Sequence, residues 1–378
     1  MKIIKVSAPG KLHLLGEHAV VYNKPAIIAA VGKRCFVEIA PRTDGIIKVK
    51  SYNYKKEITT NSKDIIEKFD KSQKDWKTYN ENNDTALLKS ITKNPLDYPL
   101  IIIGQFLSFY EFNAIDGFDL IINSEIPIGA GMGSSAALAV SITGALCLFT
   151  NKPFDREIIN KIAFLCEQKK HGEPSGGDNT TSCFGGLVWF KKDDSSVSFD
   201  SAQDKSSGQG GMKPLDLSLP PEVSKNYYII NTGTPSETTG EMVSLVRGLM
   251  EKEPESTQKI LDEQEELVRN LLPALKKANH KNIIQIIRNG ELNLEKLGVV
   301  SPFAKKIIRD IEKAEGAAKI CGAGGKTKAT GIILIYHQNL KNIEKVLRSH
   351  RLKPTQLILG VEGLREESIS DIIVSRYE

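Results

Sequence analysis

Apolar residues recur along this chain with two periods, and the period predicts the element. Ile3 to Val6 and Phe36 to Ile39 predict short strands, and Gly45 to Val49 with Tyr54 to Thr59 predicts a hairpin of alternating character. Residues 60–83 are polar and show no decided period. Leu100 to Tyr110 predicts a helix, Phe118 to Asn123 a strand, and Ser134 to Phe149 a helix of small residues. Asp155 is placed to cap a further helix, whose Ile158, Ile159, Ile162 and Leu165 fall on one face. Leu187 to Lys191 predicts the next strand.

Residues 193–211, DDSSVSFDSAQDKSSGQGG, break this pattern. Serine, glycine and charge leave too little apolar surface to offset the entropy of ordering, so a mobile insertion and a domain boundary are expected there. Beyond it, Tyr227 to Asn231 predicts a strand, and 236–250, 256–278, 280–297 and Pro302 to Lys313 predict helices. A strand, glycine loop and strand (Ala317 to Tyr336), a helix over 340–349 and a strand near Leu357 complete an α+β half. The expected division is 1–192, a linker over 193–226, and 227–378.

Composition adds little to this picture except by exclusion. A chain of 378 residues that is 40% apolar and 26% charged can build two soluble cores. Its 51 basic and 46 acidic residues leave a dispersed surplus of +5, which suits a small anionic ligand better than a nucleic-acid backbone. Five widely spaced cysteines form no CxxC pair, which points to a reducing compartment and against structural zinc. The N-terminal MKIIKVSAPGKLHLLGEH lacks the apolar core of a signal peptide, and no apolar run approaches the roughly 20 residues that span a bilayer. A cytoplasmic protein without membrane or nucleic-acid partners is expected.

The chemistry begins at IPIGAGMGSSAALAV, residues 126–140, where a glycine-rich loop runs into a helix. A dinucleotide fold would need a second strand after that helix, yet a second helix follows. A Walker loop would need a lysine between Gly129 and Ser135, and there is none. The second cluster, GAGGKT at Gly322 to Thr327, copies the end of a Walker motif but has Ile320 where the first glycine belongs. Each loop alone is open to being a tight turn. A loop ending Gly-Ser-Ser at a helix N-terminus nonetheless offers backbone N–H groups to a phosphate.

Two further segments carry a resemblance. APGKLHLLGEHAVVYNKPAI at residues 8–27 and HGEPSGGDNTTS at 171–182, in order with PIGAGMGSSAA and KICGAGG, resemble the motifs of the galactokinase, homoserine kinase, mevalonate kinase and phosphomevalonate kinase (GHMP) superfamily. The pairing of GEHAVVY with HGEPSGGDN looks most like its mevalonate kinases. The resemblance implies an α+β fold of two domains: an N-terminal α/β nucleotide-binding domain and a C-terminal ferredoxin-like domain, with the active site between them. It implies ATP and Mg2+ as cofactors and mevalonate, phosphorylated on its 5-hydroxyl, as substrate. Phosphomevalonate kinase, another small-molecule kinase of this superfamily, or a ligand-sensing homologue without turnover remain alternatives. Dimerisation through the second domain's long helices is also implied, although apolar helical stripes more often serve the core.

Roles follow residue by residue from the same resemblance. Phosphoryl transfer to an alcohol is mainly a problem of position and charge. Asp178 would accept or orient the hydroxyl proton, with Lys11, at the turn after the first strand, beside it and favouring its ionised form. Pro127, Gly129, Ala130, Gly131, Met132, Gly133, Ser134, Ser135 and Ala136 would cradle the ATP phosphates. Ser135 and Glu167 would supply the oxygens for magnesium. Glu17, His18, Thr238, Gly322, Ala323 and Gly324, with Lys11 and Asp178, would surround the acid substrate.

Plainer alternatives stand beside these roles: an Asx turn for Asp178, a solvated lysine for Lys11, a solvated helix-end acid for Glu167. His18 would give mevalonate's carboxylate a hydrogen bond or a positive charge, or else be a buried structural histidine; Thr238 is equally an N-cap. His171, without a second histidine or cysteine nearby, is expected to be structural. Where the superfamily's third motif continues in glycine, this chain has Lys326, Thr327 and Lys328.

Overall fold

The computed structural model describes residues 2–82, 84–191, 211–215 and 217–368. Its first lobe is built on β1 (Ile4–Leu15) and β2 (Ala26–Pro41), a long antiparallel pair joined through a helical turn at Ala19–Tyr22. The apolar runs at 3–6 and 36–39 are only parts of these strands. Pairing continues past Pro9, which has no N–H to give, through a register shift between Pro9 and Gly10.

β3 (Ile47–Ser51) and β4 (Lys56–Thr60) form the expected hairpin. β3 lies parallel to β5 (Phe118–Ser124), which pairs antiparallel with β2. β6 (Leu187–Lys191) and β7 (Gly211–Leu215) extend the other end of β2. The residues expected to form a mobile insertion lie outside the described ones, except Gly211, which begins β7.

Helices α1 (Ser62–Asn82), α2 (Thr85–Ile91), α3 (Asp97–Phe109), α4 (Ser134–Phe149), α5 (Arg156–His171) and α6 (Gly177–Phe184) complete this lobe. α4 sits where its small residues after the glycine loop predict a helix and α5 where the apolar periodicity places it, and Asp155 caps α5 by accepting from the Glu157 and Ile158 amides. α1 occupies the stretch without a decided period. Its stripe is narrow: Ile65 and Phe69 are buried, and Phe69 and Trp76 close over the Lys169 ammonium at 5.5 and 5.4 Å. Lys169, donating to Gln105 Oε1 at 2.8 Å, has its pKa pushed down to about 8 by burial.

After a short helix α7 (Pro221–Ser224), the second lobe runs β8 (Tyr227–Asn231), α8 (Thr239–Lys252), α9 (Pro254–Lys276), α10 (His280–Lys296), α11 (Pro302–Lys313), β9 (Ala317–Ile320), β10 (Ile332–Tyr336), α12 (Leu340–Ser349) and β11 (Thr355–Gln356). Its four antiparallel strands lie in the order β11-β8-β10-β9. Counted along the chain this is fourth, first, third, second, the ferredoxin-like arrangement. The apolar stripes of α9 and α10, including Leu261, Val268, Leu271, Ile283 and Ile287, are buried in the two cores. No described helix is long and apolar enough to cross a membrane.

The chain then returns to the first lobe. β12 (Arg365–Glu366) pairs with β1, and Glu362 bridges to Gly185 at the end of α6. Buried Arg34 ties this segment down: Nη1 donates to Glu362 O at 2.8 Å, and Nη2 to Gly363 O at 2.6 Å and Ser7 O at 3.0 Å. Burial pushes the Arg34 pKa down to about 10. The last described residues, counted with the second domain by their place in the sequence, therefore belong to the first sheet.

Candidate active site

The glycine loop leaves β5 and turns through positive φ at Gly129, Gly131 and Gly133 before α4 begins at Ser134. The first turn of any helix leaves N–H groups without intrahelical acceptors, and here they open toward the loop. Lys11 N donates to Met132 O at 2.9 Å, stitching the loop onto β1. At Gly133 a Cβ would stand 2.8 Å from Lys11 Cγ, with φ at +68°, so the lysine stem occupies the space a side chain would need.

Lys11 lies within β1, not at a turn after it, and is buried rather than solvated. Its Nζ is 3.0 Å from Asp178 Oδ1. Asp178 stands in the first turn of α6, a helix that the apolar pattern did not predict. Asn160 and Asn179 explain that helix: Asn179 Nδ2 donates to Asn160 Oδ1 at 2.6 Å, and Asn160 Nδ2 to Thr180 Oγ1 at 3.0 Å, anchoring α6 to α5.

Ser135 and Glu167 meet beside the loop. Ser135 Oγ donates to Glu167 Oε2 at 3.1 Å. Glu167 is not a solvated helix-end acid; it continues the buried i, i+4, i+8 row of Ile159 and Ala163 and is 2% exposed. The buried Tyr98 hydroxyl donates to its other oxygen, Oε1, while burial first, and then Glu167, keep the phenol's pKa well above its ordinary value. His171, expected to be structural, stands instead at this site, half-exposed, with Nε2 3.1 Å from Ser135 Oγ and 3.6 Å from Glu167 Oε2.

Among the described residues no three His, Cys, Asp or Glu side chains gather as a metal site. A magnesium ion asks less of protein, usually one or two oxygens. Adjacent ligands of an octahedral ion bonded at about 2.1 Å lie about 3 Å apart. The 3.1 Å between Ser135 Oγ and Glu167 Oε2, with a hard hydroxyl and a buried carboxylate as donors, fits that demand.

A second charged group lies at the junction of the lobes. Glu17 is ion-paired with Lys319 of β9, both fully buried, and Glu17 Oε2 has no protein partner. Burial opposes the lysine's charge, yet Glu17 holds its pKa above the ordinary value. Glu291 of α10 accepts from Ile320 N at 2.9 Å through Oε2, while its Oε1 is unpaired; burial pushes its pKa up to about 8. His13 is half-buried alongside, its pKa lowered by burial and then by Lys11, Lys319 and His18.

His18 bonds Ala323 O through Nε2 at 2.9 Å, joining the first motif to the third. Burial lowers its pKa, so the geometry favours a neutral structural bridge over a positive charge for a substrate. Thr238 caps α8 in a reciprocal box with Glu241, Oγ1 accepting from Glu241 N at 3.3 Å and Thr238 N donating to Oε2 at 2.6 Å. Both capping oxygens are thereby engaged. Gly322, Ala323 and Gly324 turn beyond β9, near the glycine loop: a Cβ at Gly131 would stand 3.7 Å from Cys321 O. Lys326, Thr327 and Lys328 are exposed.

Residues without a role from the sequence take part in these contacts, and others stand apart on the hairpin turn. Tyr98, Lys319 and Glu291 are described above; Tyr52 and Tyr54 are exposed by 53% and 41% on the hairpin turn. Between them Asn53 is fastened to the strand leading into the loop, Nδ2 to Ser124 O at 2.7 Å and Ser124 N to Oδ1 at 2.8 Å. Glu291 carried a signal, since it falls on the apolar row of Ile283, Ile287 and Leu294.

Residues 100–186 match the family described as GHMP kinases N terminal domain. The chain is 29% identical over 334 residues to a mevalonate kinase of Pyrococcus horikoshii, spanning 86% of this chain and 87% of that one. In fold it is similar to the crystal structure of the Methanococcus jannaschii mevalonate kinase, with a TM-score of 0.72 at 22% identity over 95% of this chain and 98% of that one. It is similar also to the L. major mevalonate kinase in complex with R-mevalonate, with a TM-score of 0.64 at 21% identity over 91% of each chain.

Proposed function

We propose that the chain, similar to the GHMP kinases, is a mevalonate kinase, transferring the γ-phosphoryl group of ATP to the 5-hydroxyl of mevalonate. The observation that carries this reading is the adjacency of acceptor and donor machinery. Lys11 bonds the phosphate loop through its backbone and Asp178 through its ammonium, 3.0 Å away.

Asp178 accepts or orients the proton of the substrate hydroxyl, and Lys11, 3.0 Å away, holds that carboxylate in place. The loop from Pro127 to Ala136 receives the phosphates backbone-first. Ser135 and Glu167 hold the divalent cation, which supplies charge neutralisation for the triphosphate. Glu17, fixed by Lys319, and the turn at Gly322 to Gly324, fixed by His18, form the wall against which the acid substrate rests. With Thr238 engaged as a cap, its part is to hold the start of α8 at the cleft.

The test is ADP release with Mg-ATP on mevalonate, 5-phosphomevalonate, galactose and homoserine in parallel, with phosphorus NMR of the product. Turnover confined to mevalonate, with phosphate on the 5-oxygen, supports the proposal. Turnover on another alcohol keeps the phosphoryl-transfer frame and removes the substrate assignment. Nucleotide binding without ADP release on any of the four would point to a sensor.

A further inference from the structure

The two oxygens of Glu167 have different surroundings. Oε2 faces Ser135 Oγ at 3.1 Å and His171 Nε2 at 3.6 Å, on the phosphate side. Oε1 is turned inward and accepts from the Tyr98 hydroxyl, a bond between helices whose partners stand 69 positions apart. We propose that Tyr98 is a positioning residue for the cation-binding carboxylate: it secures Oε1 so that Oε2 is presented to the cation beside Ser135. The inference rests on the assignment of Ser135 and Glu167 to the metal–nucleotide site made above.

Tyr98 is itself held in place. It is 3% exposed, in the first turn of α3. The preceding Asp97 is pinned by Lys68 Nζ at 2.7 Å and by Asn94 N, which donates to its Oδ2 at 2.7 Å. Lys170 Nζ lies 4.9 Å from the centre of the phenol ring. With its backbone anchored and its ring covered, the hydroxyl has little freedom except along the line to Glu167.

The residue type matters as much as the place. A phenol gives a buried carboxylate one hydrogen bond without cancelling its charge. An ammonium or guanidinium in the same position would neutralise the carboxylate and remove the attraction for a cation. Without any donor, Oε1 would be a buried acceptor lacking a partner, and the carboxylate would gain by rotating away from Ser135. Groups that orient metal ligands from behind in this way typically change metal affinity by about 10- to 100-fold when removed.

Tyr98→Phe tests this with Mn2+ as a spectroscopic probe. Mn2+ binding is titrated by electron paramagnetic resonance in the presence of a non-hydrolysable ATP analogue, beside affinity for the analogue without metal. The variant should bind Mn2+ about 10-fold more weakly or worse, leave metal-free nucleotide affinity unchanged, and recover kcat as Mg2+ is raised while KM for mevalonate stays fixed. Mn2+ affinity equal to that of the wild type, or lost activity that Mg2+ does not restore, overturns the inference.

If the phenylalanine variant does not fold, 4-aminophenylalanine at position 98 replaces it. Its N–H is a weaker donor of similar size, so Oε1 is less firmly held and Mn2+ should bind more weakly than to the wild type; unchanged binding again overturns the inference. Wild-type protein that binds no Mn2+ with nucleotide would instead remove the assignment of Ser135 and Glu167, and so tells the two failures apart.

Discussion

The ammonium of Lys11 on β1 lies 3.0 Å from Asp178 Oδ1 in the first turn of α6. One member is buried in a strand and the other is partly exposed, so the pair presents a fixed carboxylate to whatever approaches it. Asp178→Asn keeps the shape and removes the base. Its kcat should fall by about 100-fold or more while its melting temperature and nucleotide affinity stay near those of the wild type. Activity close to that of the wild type in this variant would place the base elsewhere.

Gly133→Ala tests the join between loop and strand. The added methyl meets the Lys11 stem at 2.8 Å, in a backbone conformation with φ of +68° that L side chains rarely adopt. Displacing Lys11 by a fraction of an ångström should lower kcat by about 100-fold and raise the KM for ATP as well, because one shift disturbs both partners. Steady-state kinetics on a folded variant decides it; a change in KM for ATP alone would show that Lys11 had not moved.

Lys319→Met leaves Glu17 charged and uncompensated in the lobe junction. Breaking one side of a buried pair costs about 3–5 kcal/mol, so urea unfolding should show a large loss. The double variant Glu17→Gln/Lys319→Met should recover most of it. Additive losses in the double-mutant cycle would mean that the two side chains are not coupled.

Glu291 gives stability a pH dependence whose sign can be stated. Burial, partly offset by Ile320 N and Lys319, raises its pKa from 4.5 to about 8. Below the ordinary carboxyl range it is protonated folded or unfolded, and its contribution to stability is fully present. As pH rises toward about 8 the folded protein keeps a proton that the unfolded chain has released, so stability declines, and above that pH the loss levels off. Urea midpoints measured across this window should fall in the wild type and fall less in Glu291→Gln. Equal slopes would assign the dependence to other groups.

Much of this was legible in the residues, for physical reasons that differ by element. α5 carried period and cap together, α4 was marked by its small residues after the glycine loop, and the motif residues Lys11, Ser135, Glu167 and Asp178 converge at one place. α1 was hidden because its contact stripe is narrow and its main payload is a buried lysine clasped by aromatic rings. α6 was hidden because buried amide side chains, not apolar periodicity, fix it. Tyr98 and Lys319 gave no local signal: each finds its carboxylate through a contact that only the fold creates. His171 misled in the opposite sense, since the lack of a second nitrogen or sulfur ligand says nothing about a partner hydroxyl.

The return of the chain to β1 also decides how the protein can be divided. A fragment ending at residue 226 would contain every motif residue of the first lobe except the support that arrives last. β1 would lose β12 and present a bare sheet edge, and the end of α6 would lose the amide of Leu364, which donates to Cys183 O at 3.0 Å. Unpaired edges of this kind recruit other chains. The helix that bears Asp178 is thus completed by residues nearly two hundred positions downstream, and an isolated nucleotide lobe would be prone to stick to its own copies before it could be assayed.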